Sequence, residues 1–221
     1  SIIVLCILIY LYSSFTAILL FILLSAYHFG EEHMGSKISV NPIFNSVFFL
    51  GYGLLIFSLL FSQSMVDVDA IMLELTGATF KKFHVEIILI ANSILLFVGS
   101  LYLIVIKKKD VQLFIREFFY LVLLFLVFKT SSLILGFAIY FIFWHSIPSI
   151  IHQIEFISGN LNKKNMFYYI KKASIYWVIS ILGLIGLYQL VEDIALFGSV
   201  VFVILFAVTA PHTWVMYKMK H

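Results

Sequence analysis

The chain has 221 residues, of which 63% are hydrophobic and only 11% charged, and its formal net charge is +3. Soluble domains have roughly half apolar and a quarter charged residues, so this composition indicates an integral membrane protein. The Lys and Arg residues lie between apolar runs rather than in a patch, which argues against nucleic-acid binding. Cys6 is the single cysteine, which excludes an intramolecular disulfide and a cysteine-cluster metal site.

Seven apolar stretches are long enough, or nearly so, to cross a bilayer as helices, which takes about 20 residues. We predict spans at about 2–27, 43–62, 84–106, 115–129, 132–151, 173–191 and 195–217. The fourth is short, because only the segment from Lys129 to Ser132 separates it from the fifth. The prediction is an all-α, polytopic helical bundle in which residues 1–221 form a single transmembrane domain.

The basic residues predict the orientation of this bundle through the positive-inside rule. With seven spans, eleven of the 14 Lys and Arg residues lie on one side, and the other side has only Lys81, Lys82 and Lys129. The start of this chain is then outside and the C-terminus is cytoplasmic. We expect part of the long outer loop 63–83 to form an interfacial helix, and Glu192–Asp193 to form a tight outer turn.

Four histidines stand inside these apolar stretches or at their edges, where polar side chains are rare unless they have a partner or a role. His28 ends the first span, His145 and His152 lie in the inner part of the fifth, and His212 comes near the end of the seventh. All four fall in the predicted cytoplasmic half of the membrane. Several imidazoles at one depth, with no thiolate, favour a site for Fe, Cu, Zn or Ni.

The fifth span has a polar stripe at the spacing i, i+4, i+7 and i+10, formed by His145, Ser149, His152 and Glu155. This spacing defines one helical face, which we expect to point into the bundle rather than toward lipid. Pro148 lies within the stripe and predicts a kink that frees the carbonyl of Trp144. Trp144, next to His145, is expected to line a channel or to act as a belt or packing residue.

Ordinary structural interpretations stand beside the metal site. A single membrane histidine is often a hydrogen-bonded packing residue, His28 would be tolerated at a helix end, and Pro211–His212 is compatible with a kink at the interface. In a metal site, the carboxylates of Glu31, Glu32 and Glu155 would serve as oxygen ligands or as acceptors for the ring N–H groups. The grouping of histidines on three spans favours the metal.

Three motifs then indicate a family. SAYHFGEEH, FWHSIPSIIHQIEF and AVTAPHTWVMYKM, in this order and spacing, resemble the Brp/Blh family of membrane β-carotene 15,15′-dioxygenases, and the resemblance covers nearly the whole chain. The resemblance implies an iron enzyme that cleaves the central double bond of β-carotene with O₂ to give two retinals. By position, His28 matches the histidine of the HFG motif, His145 the first histidine of the HS motif, and His212 the histidine of the PH motif.

The resemblance also implies the surroundings of the enzyme. The cofactor would be Fe(II), held by His28, His145 and, as further candidates, His152 or His212. A lipophilic carotenoid would enter from the lipid bilayer into a channel lined by Phe and Trp, and O₂ would be the second substrate. The location would be the inner membrane of a prokaryotic cell, with a functional link to a retinal-binding rhodopsin that uses the product.

The chain departs from the family pattern at three places. A further family histidine, in a PHG-x-x-D motif, would precede the first residue of this chain, so we expect an additional helix upstream. Ser149 stands where the family has a second histidine, and His152 follows three residues later. His33, in the predicted first inner loop, stands where an aspartate is common. These departures leave room for a divergent member with another carotenoid substrate, or for an inactive one.

Three competing classes are less compatible with the sequence. The HxxxxH spacing of His28 and His33 resembles a di-iron desaturase or hydroxylase, but such enzymes need more histidine boxes than this chain has. A seven-helix retinal-binding receptor or pump needs a lysine deep in its last span, and residues 202–216 contain none. A bis-histidine haem or quinone subunit through His145 and His212 would leave the polar stripe of the fifth span unexplained.

Overall fold

The computed structural model describes residues 2–191 and 194–220, and all regular elements in these ranges are helices. They are α1 (Ile2–Tyr12), α2 (Ser14–Met34), α3 (Pro42–Gln63), α4 (Met65–Thr76), α5 (Lys82–Val105), α6 (Val111–Thr130), α7 (Leu133–Tyr140), a π-helical segment (Phe141–Ser146), α8 (Ile147–Ser158), α9 (Lys163–Leu190) and α10 (Ile194–Lys220). The segment from α7 through α8 is one continuous apolar span. The predicted all-α class is confirmed.

Within the described ranges, seven helices are long and apolar enough to cross a membrane, so the chain is a multi-pass membrane protein. The predicted first span, 2–27, is wrong in its bounds because two helices share this run. Ser13 separates them, and its hydroxyl accepts a hydrogen bond from the backbone N–H of Thr16 at 3.2 Å, which starts α2. The predicted orientation stays a prediction.

One of the two predicted connections contains the expected helix, and the other lies outside the described residues. The expected helix in the loop 63–83 is α4, which ends at Gly77 in the left-handed conformation, with φ of 70°. The short fourth span is a full helix, α6, of 20 residues. The turn predicted at Glu192–Asp193 lies outside the described residues.

The described chain forms two compact units, residues 9–145 and residues 2–8 with 146–191 and 194–220. The expectation of a single domain over residues 1–221 stays a prediction. In the unit 9–145, α3 is the central helix and packs against α2, α4, α5, α6 and α7. It buries Phe48, Phe49, Gly51, Tyr52, Gly53, Leu55, Ile56, Phe57, Ser58 and Leu60.

The helices α2 and α3 cross at close range because glycine stands at both sides of the contact. A Cβ added to Gly30 would lie 1.9 Å from the carbonyl oxygen of Phe49, and one added to Gly53 would lie 1.9 Å from that of Ala26. Small residues at such crossings are the usual way for membrane helices to gain van der Waals contact, since lipid provides no hydrophobic driving force between them. This crossing sets the position of the second half of α2.

In the other unit, α8 packs against α9, and the hydroxyl of Tyr169 donates a hydrogen bond to Oε1 of Gln153 at 2.7 Å. No residue of α9 is buried, although the helix is long and apolar. Exposed apolar area of this extent is incompatible with water as the solvent and is typical of a lipid-facing helix. The buried apolar residues of α10 include Phe206, Ala207 and Met216.

Candidate metal centre

The first candidate ligand, His28, lies well inside α2, because this helix continues to Met34 and ends at Gly35. The expectation that the helix ends at His28 is therefore wrong. Its side chain is 1% exposed. The next residue but one is Gly30, whose missing side chain allows α3 to approach α2 and cover this histidine's turn of the helix. The motif His28-Phe29-Gly30 thus combines a buried imidazole with the contact that buries it.

The second candidate ligand, His145, lies in the π-helical segment Phe141–Ser146 and is 5% exposed. Pro148 follows in the first turn of α8. Proline has no backbone N–H, so the helix that precedes it cannot keep its regular hydrogen bonds there, and a π-type turn is one way to absorb the mismatch. The structure has a π-helical segment that contains Trp144 and His145 just before Pro148, while the predicted kink and the free carbonyl of Trp144 stay predictions.

The structure brings His28 and His145 together. Their ring centroids are 5.0 Å apart with the rings nearly perpendicular, at 77°. One ring nitrogen of each lies within 4.8 Å of one of the other, which is a separation that a single metal ion can bridge. Two buried imidazoles that approach each other from different helices form the kind of donor pair that Fe, Cu or Zn binds.

Aromatic rings pack against this pair, whose own side chains are almost fully buried. The ring of Phe29 lies 4.7 Å from that of His145, and the ring of Phe141 lies 5.1 Å from it. Tyr140 packs edge-on against Phe29 at 5.3 Å. A site with such walls has a low effective dielectric constant, which strengthens the interaction between a cation and the polar groups that face it.

Two carboxylates follow His28 on the same helix, and both are buried. Tyr27 donates a hydrogen bond from its hydroxyl to Oε1 of Glu31 at 3.4 Å. Glu32 comes four residues after His28, so the two side chains share a face of α2. The role of Glu32 as an acceptor for a ring N–H of His28 stays a prediction.

A second polar cluster in the same unit was missed by the sequence reasoning. Glu117 of α6 is buried and accepts three hydrogen bonds: from Lys37 Nζ at 2.9 Å, from the Tyr52 hydroxyl at 3.2 Å, and on Oε2 from His33 Nε2 at 2.5 Å. The His33 ring also stacks on Tyr52, with centroids 5.1 Å apart. The signal was available, because Glu117 is a carboxylate inside the predicted span 115–129.

This cluster, which we call the Glu117 cluster, corrects the expectation for His33. That histidine lies in α2 rather than in a loop. It pairs with a carboxylate of α6, and Lys37 joins the same carboxylate from beyond the end of α2. The cluster therefore ties the end of α2 to α3 and α6 by charge-assisted hydrogen bonds, which are the strong ones.

The four residues of the polar stripe in the fifth span differ in burial. Ser149 is buried like His145, but His152 and Glu155 are exposed, so the expectation that the whole stripe faces an interior is wrong. Ser149 accepts a hydrogen bond from Gln153 at 3.3 Å. The spacing fixes a common face of the helix, whereas burial also depends on how far neighbouring helices extend along it.

The remaining predicted site residues are partly exposed. Trp144 is half-buried within the π-helical segment. His212 is half-buried in α10, directly after Pro211, which stands inside that helix. Thr213 donates its hydroxyl to the carbonyl of Thr209 at 2.9 Å, which satisfies one carbonyl acceptor in the turn around the proline.

Comparisons with known proteins give one result. No curated protein and no solved structure matches the chain. A family model, described as beta-carotene 15,15'-dioxygenase, matches residues 1–220. The match runs through all three motifs that contain His28, His145 and His212, and it confirms the resemblance found in the sequence. The chain therefore belongs to the β-carotene 15,15′-dioxygenase family.

Proposed function

We propose that this protein cleaves the central double bond of β-carotene, or of a closely related carotenoid, with O₂ to give retinal. The observation that carries the proposal is the pair of buried imidazoles, His28 and His145, in aromatic surroundings. The reaction balances without an external reductant, because one C=C bond breaks and each of its carbons takes one oxygen atom of O₂ as an aldehyde. The family match supports the substrate class.

The donor set fits a ferrous ion, because it offers neutral imidazoles without a thiolate. His28 and His145 would hold the ion, and we propose His212 as a third ligand on the strength of its family motif. His152 has less support, because its ring is exposed. Bound iron would supply the activation of O₂, which no side chain of this chain provides by itself.

The protein's own residues have three tasks in this proposal. Helices α2 and the π-helical segment hold the two imidazoles in fixed positions, supported by the close contact at Gly30. Glu32 would accept a ring N–H of His28 and so fix the tautomer of that ring. Phe29, Tyr140 and Phe141 exclude water and offer flat apolar faces to a polyene.

The cellular setting follows from the substrate. A carotenoid dissolves in the bilayer, so a multi-pass protein meets it there by lateral diffusion. We propose the inner membrane of a prokaryote, with the start of this chain outside and the C-terminus in the cytoplasm. A rhodopsin that binds the retinal product would be the functional neighbour.

The test is expression of the full-length protein in a bacterium that makes β-carotene. We expect loss of the orange colour, formation of retinal, and about one iron per purified chain. His28→Ala and His145→Ala should abolish retinal formation and lower the iron content. Tyr176→Ala is the matched control, because it removes an aromatic ring from the exposed face of α9 and should change neither measurement.

Two outcomes would contradict separate parts of the proposal. If β-carotene persists with the wild type at normal protein levels in the membrane, the substrate assignment is wrong. If either alanine variant stays fully active and keeps its iron, the ligand assignment is wrong whatever the substrate. His28→Asn, which keeps a polar side chain of similar size, separates loss of the ligand from loss of the fold.

A further inference from the structure

An apolar cavity of about 410 Å³ lies within the unit 9–145, between the first half of α2, the second half of α3 and the start of α5. Its walls include Leu19, Ile22, Leu54 and Val85. The volume falls within the range of roughly 300–1,000 Å³ that is typical of small-molecule pockets. None of the residues assigned above to the metal centre lines this cavity, so its purpose is not explained by the site itself.

A series of aromatic rings connects the cavity with the histidine pair. Phe61 and Phe57 both line the cavity, and their ring centroids are 5.7 Å apart. Phe57 stacks on Phe29 at 5.7 Å and 19°, and Phe29 lies 4.7 Å from the ring of His145. The cavity is therefore separated from His145 by one stacked pair of phenylalanines.

The few polar groups on the cavity walls indicate which kind of molecule the cavity can hold. The one hydroxyl on the α3 wall, that of Ser58, donates to the carbonyl of Leu55 at 3.0 Å, so its proton does not point to a ligand. The charged or ionisable side chains on the lining, Lys81 and His84, are both exposed and belong to the rim at the start of α5. The interior accordingly suits a hydrocarbon without polar substituents.

The distance along α2 agrees with an extended molecule. Leu19 and Phe15 line the cavity and precede His28 by nine and thirteen residues, which corresponds to about 14 and about 20 Å along the helix axis. An occupant that starts beside the histidines and runs along α2 would place its far end in this cavity. One half of an extended carotenoid, measured from its central double bond to its ring, is comparable to the shorter of these two distances, the one that ends at Leu19.

We propose that the cavity holds one terminal ring of the carotenoid and the adjoining part of its polyene arm, so that the central double bond lies beside His28 and His145. This assignment rests on the proposed function and adds to it the site that sets the cleavage position. Phe29 and Phe57 would form the aromatic passage between ring and reaction centre. The continuity of aromatic faces favours a conjugated occupant over the acyl chain of a lipid.

The experiment fills the cavity and compares two substrates. Leu54→Trp adds bulk to the α3 wall, whereas the control Val47→Trp adds slightly more bulk two turns earlier on α3, in a separate apolar groove that Val47 lines with Phe44 and Phe48. The substrates are β-carotene and an apocarotenal in which one ring and part of its arm are replaced by an aldehyde. The second readout is the amount of β-carotene retained on the purified protein.

We expect Leu54→Trp to lower kcat/KM for β-carotene at least about tenfold, which is the effect of misfit in an apolar pocket. The apocarotenal, whose shortened arm still fits, should lose much less in the same variant, and this turnover also shows that the protein is folded. Retained β-carotene should fall in parallel. Val47→Trp should behave like the wild type with both substrates.

Equal losses with both substrates, or no loss with either, would overturn the assignment of the cavity. Leu54→Ala provides a second variant that enlarges the cavity without added bulk, and it should also reduce retention of β-carotene by weakening contact with the ring. A wild type that retains β-carotene but forms no retinal would overturn the proposed reaction, while the retention measurements would still decide the cavity.

Discussion

The two halves of α2 border different interiors. In its first half, Phe15, Leu19 and Ile22 line an apolar cavity in which no charge is buried. In its second half, His28, Glu31 and Glu32 are buried together, and the Glu117 cluster follows directly. The comparison teaches that one membrane helix tolerates buried charge where partners from other helices meet it, and elsewhere presents only hydrocarbon.

The largest effect is expected at the contact that holds the polar half of α2 against α3. Gly30→Ala would place a methyl group 1.9 Å from the carbonyl oxygen of Phe49, and both helices would have to separate. We expect little or no monodisperse protein in detergent, with a loss of stability of about 3 kcal/mol or more. Gly183→Ala is the control, since an added methyl meets nothing within 4 Å there. Accumulation of Gly30→Ala at the control's level would contradict the close crossing.

The next effect concerns the charge at the centre of the Glu117 cluster. Glu117→Ala leaves Lys37, His33 and Tyr52 without their shared acceptor, which we expect to cost roughly 3 kcal/mol in a thermal unfolding measurement. Adding Lys37→Met removes the stranded cation and should restore part of the loss, because the two residues form one network. A double variant as unstable as the sum of the single ones would argue against that network.

Removal of a single hydroxyl in the same cluster should have a smaller effect. Tyr52→Phe deletes one donor to the Glu117 carboxylate and leaves Lys37 and His33 in place. A hydrogen bond to a charged group contributes about 1.5 kcal/mol or somewhat more, so the melting temperature should fall by a few degrees. Tyr102→Phe, on the exposed side of α5, should leave it unchanged. If Tyr102→Phe lowered the melting temperature more than Tyr52→Phe does, the stabilising role assigned to the Tyr52 hydroxyl would be wrong.

The smallest effect is expected in the apolar half, at the cap of α2. Ser13→Ala removes the hydroxyl that accepts the N–H of Thr16, and helix caps of this kind contribute about 1 kcal/mol. Hydrogen exchange should rise in the first turn of α2, with little change near His28. Ser13→Asn keeps an acceptor and should restore protection. If exchange rises equally along the whole helix, the two halves of α2 do not behave independently.

Much of the fold could be predicted because lipid imposes simple rules. A span needs about 20 apolar residues, and seven were found by counting them. The break at Ser13 was missed because two serines change the hydropathy of an apolar run very little, while a single hydroxyl is enough to cap a helix. The length of α9 was underestimated because its first turns are polar and were not counted as part of the apolar span, although they are helical.

Site residues could be predicted from the sequence where their residue type alone marks them. They could not be predicted where their burial depends on the packing of neighbouring helices. His28 and His145 were found because an imidazole in an apolar run is unusual. His152 and Glu155 were expected inside because they share a face with His145, but helical spacing contains no information on where neighbouring helices end. Glu117 was missed although its charge was visible, because its partners His33 and Lys37 are far away in sequence.

The π-helical segment has a consequence for spectroscopy. It holds Trp144, one of three tryptophans, directly beside His145, whereas Trp177 and Trp214 are exposed. With Trp177 and Trp214 replaced by phenylalanine, the tryptophan emission of the protein would come from a single indole next to the candidate metal centre. Retinal, the product of the proposed reaction, absorbs in the range where indole emits, so energy transfer from Trp144 would report its formation in real time.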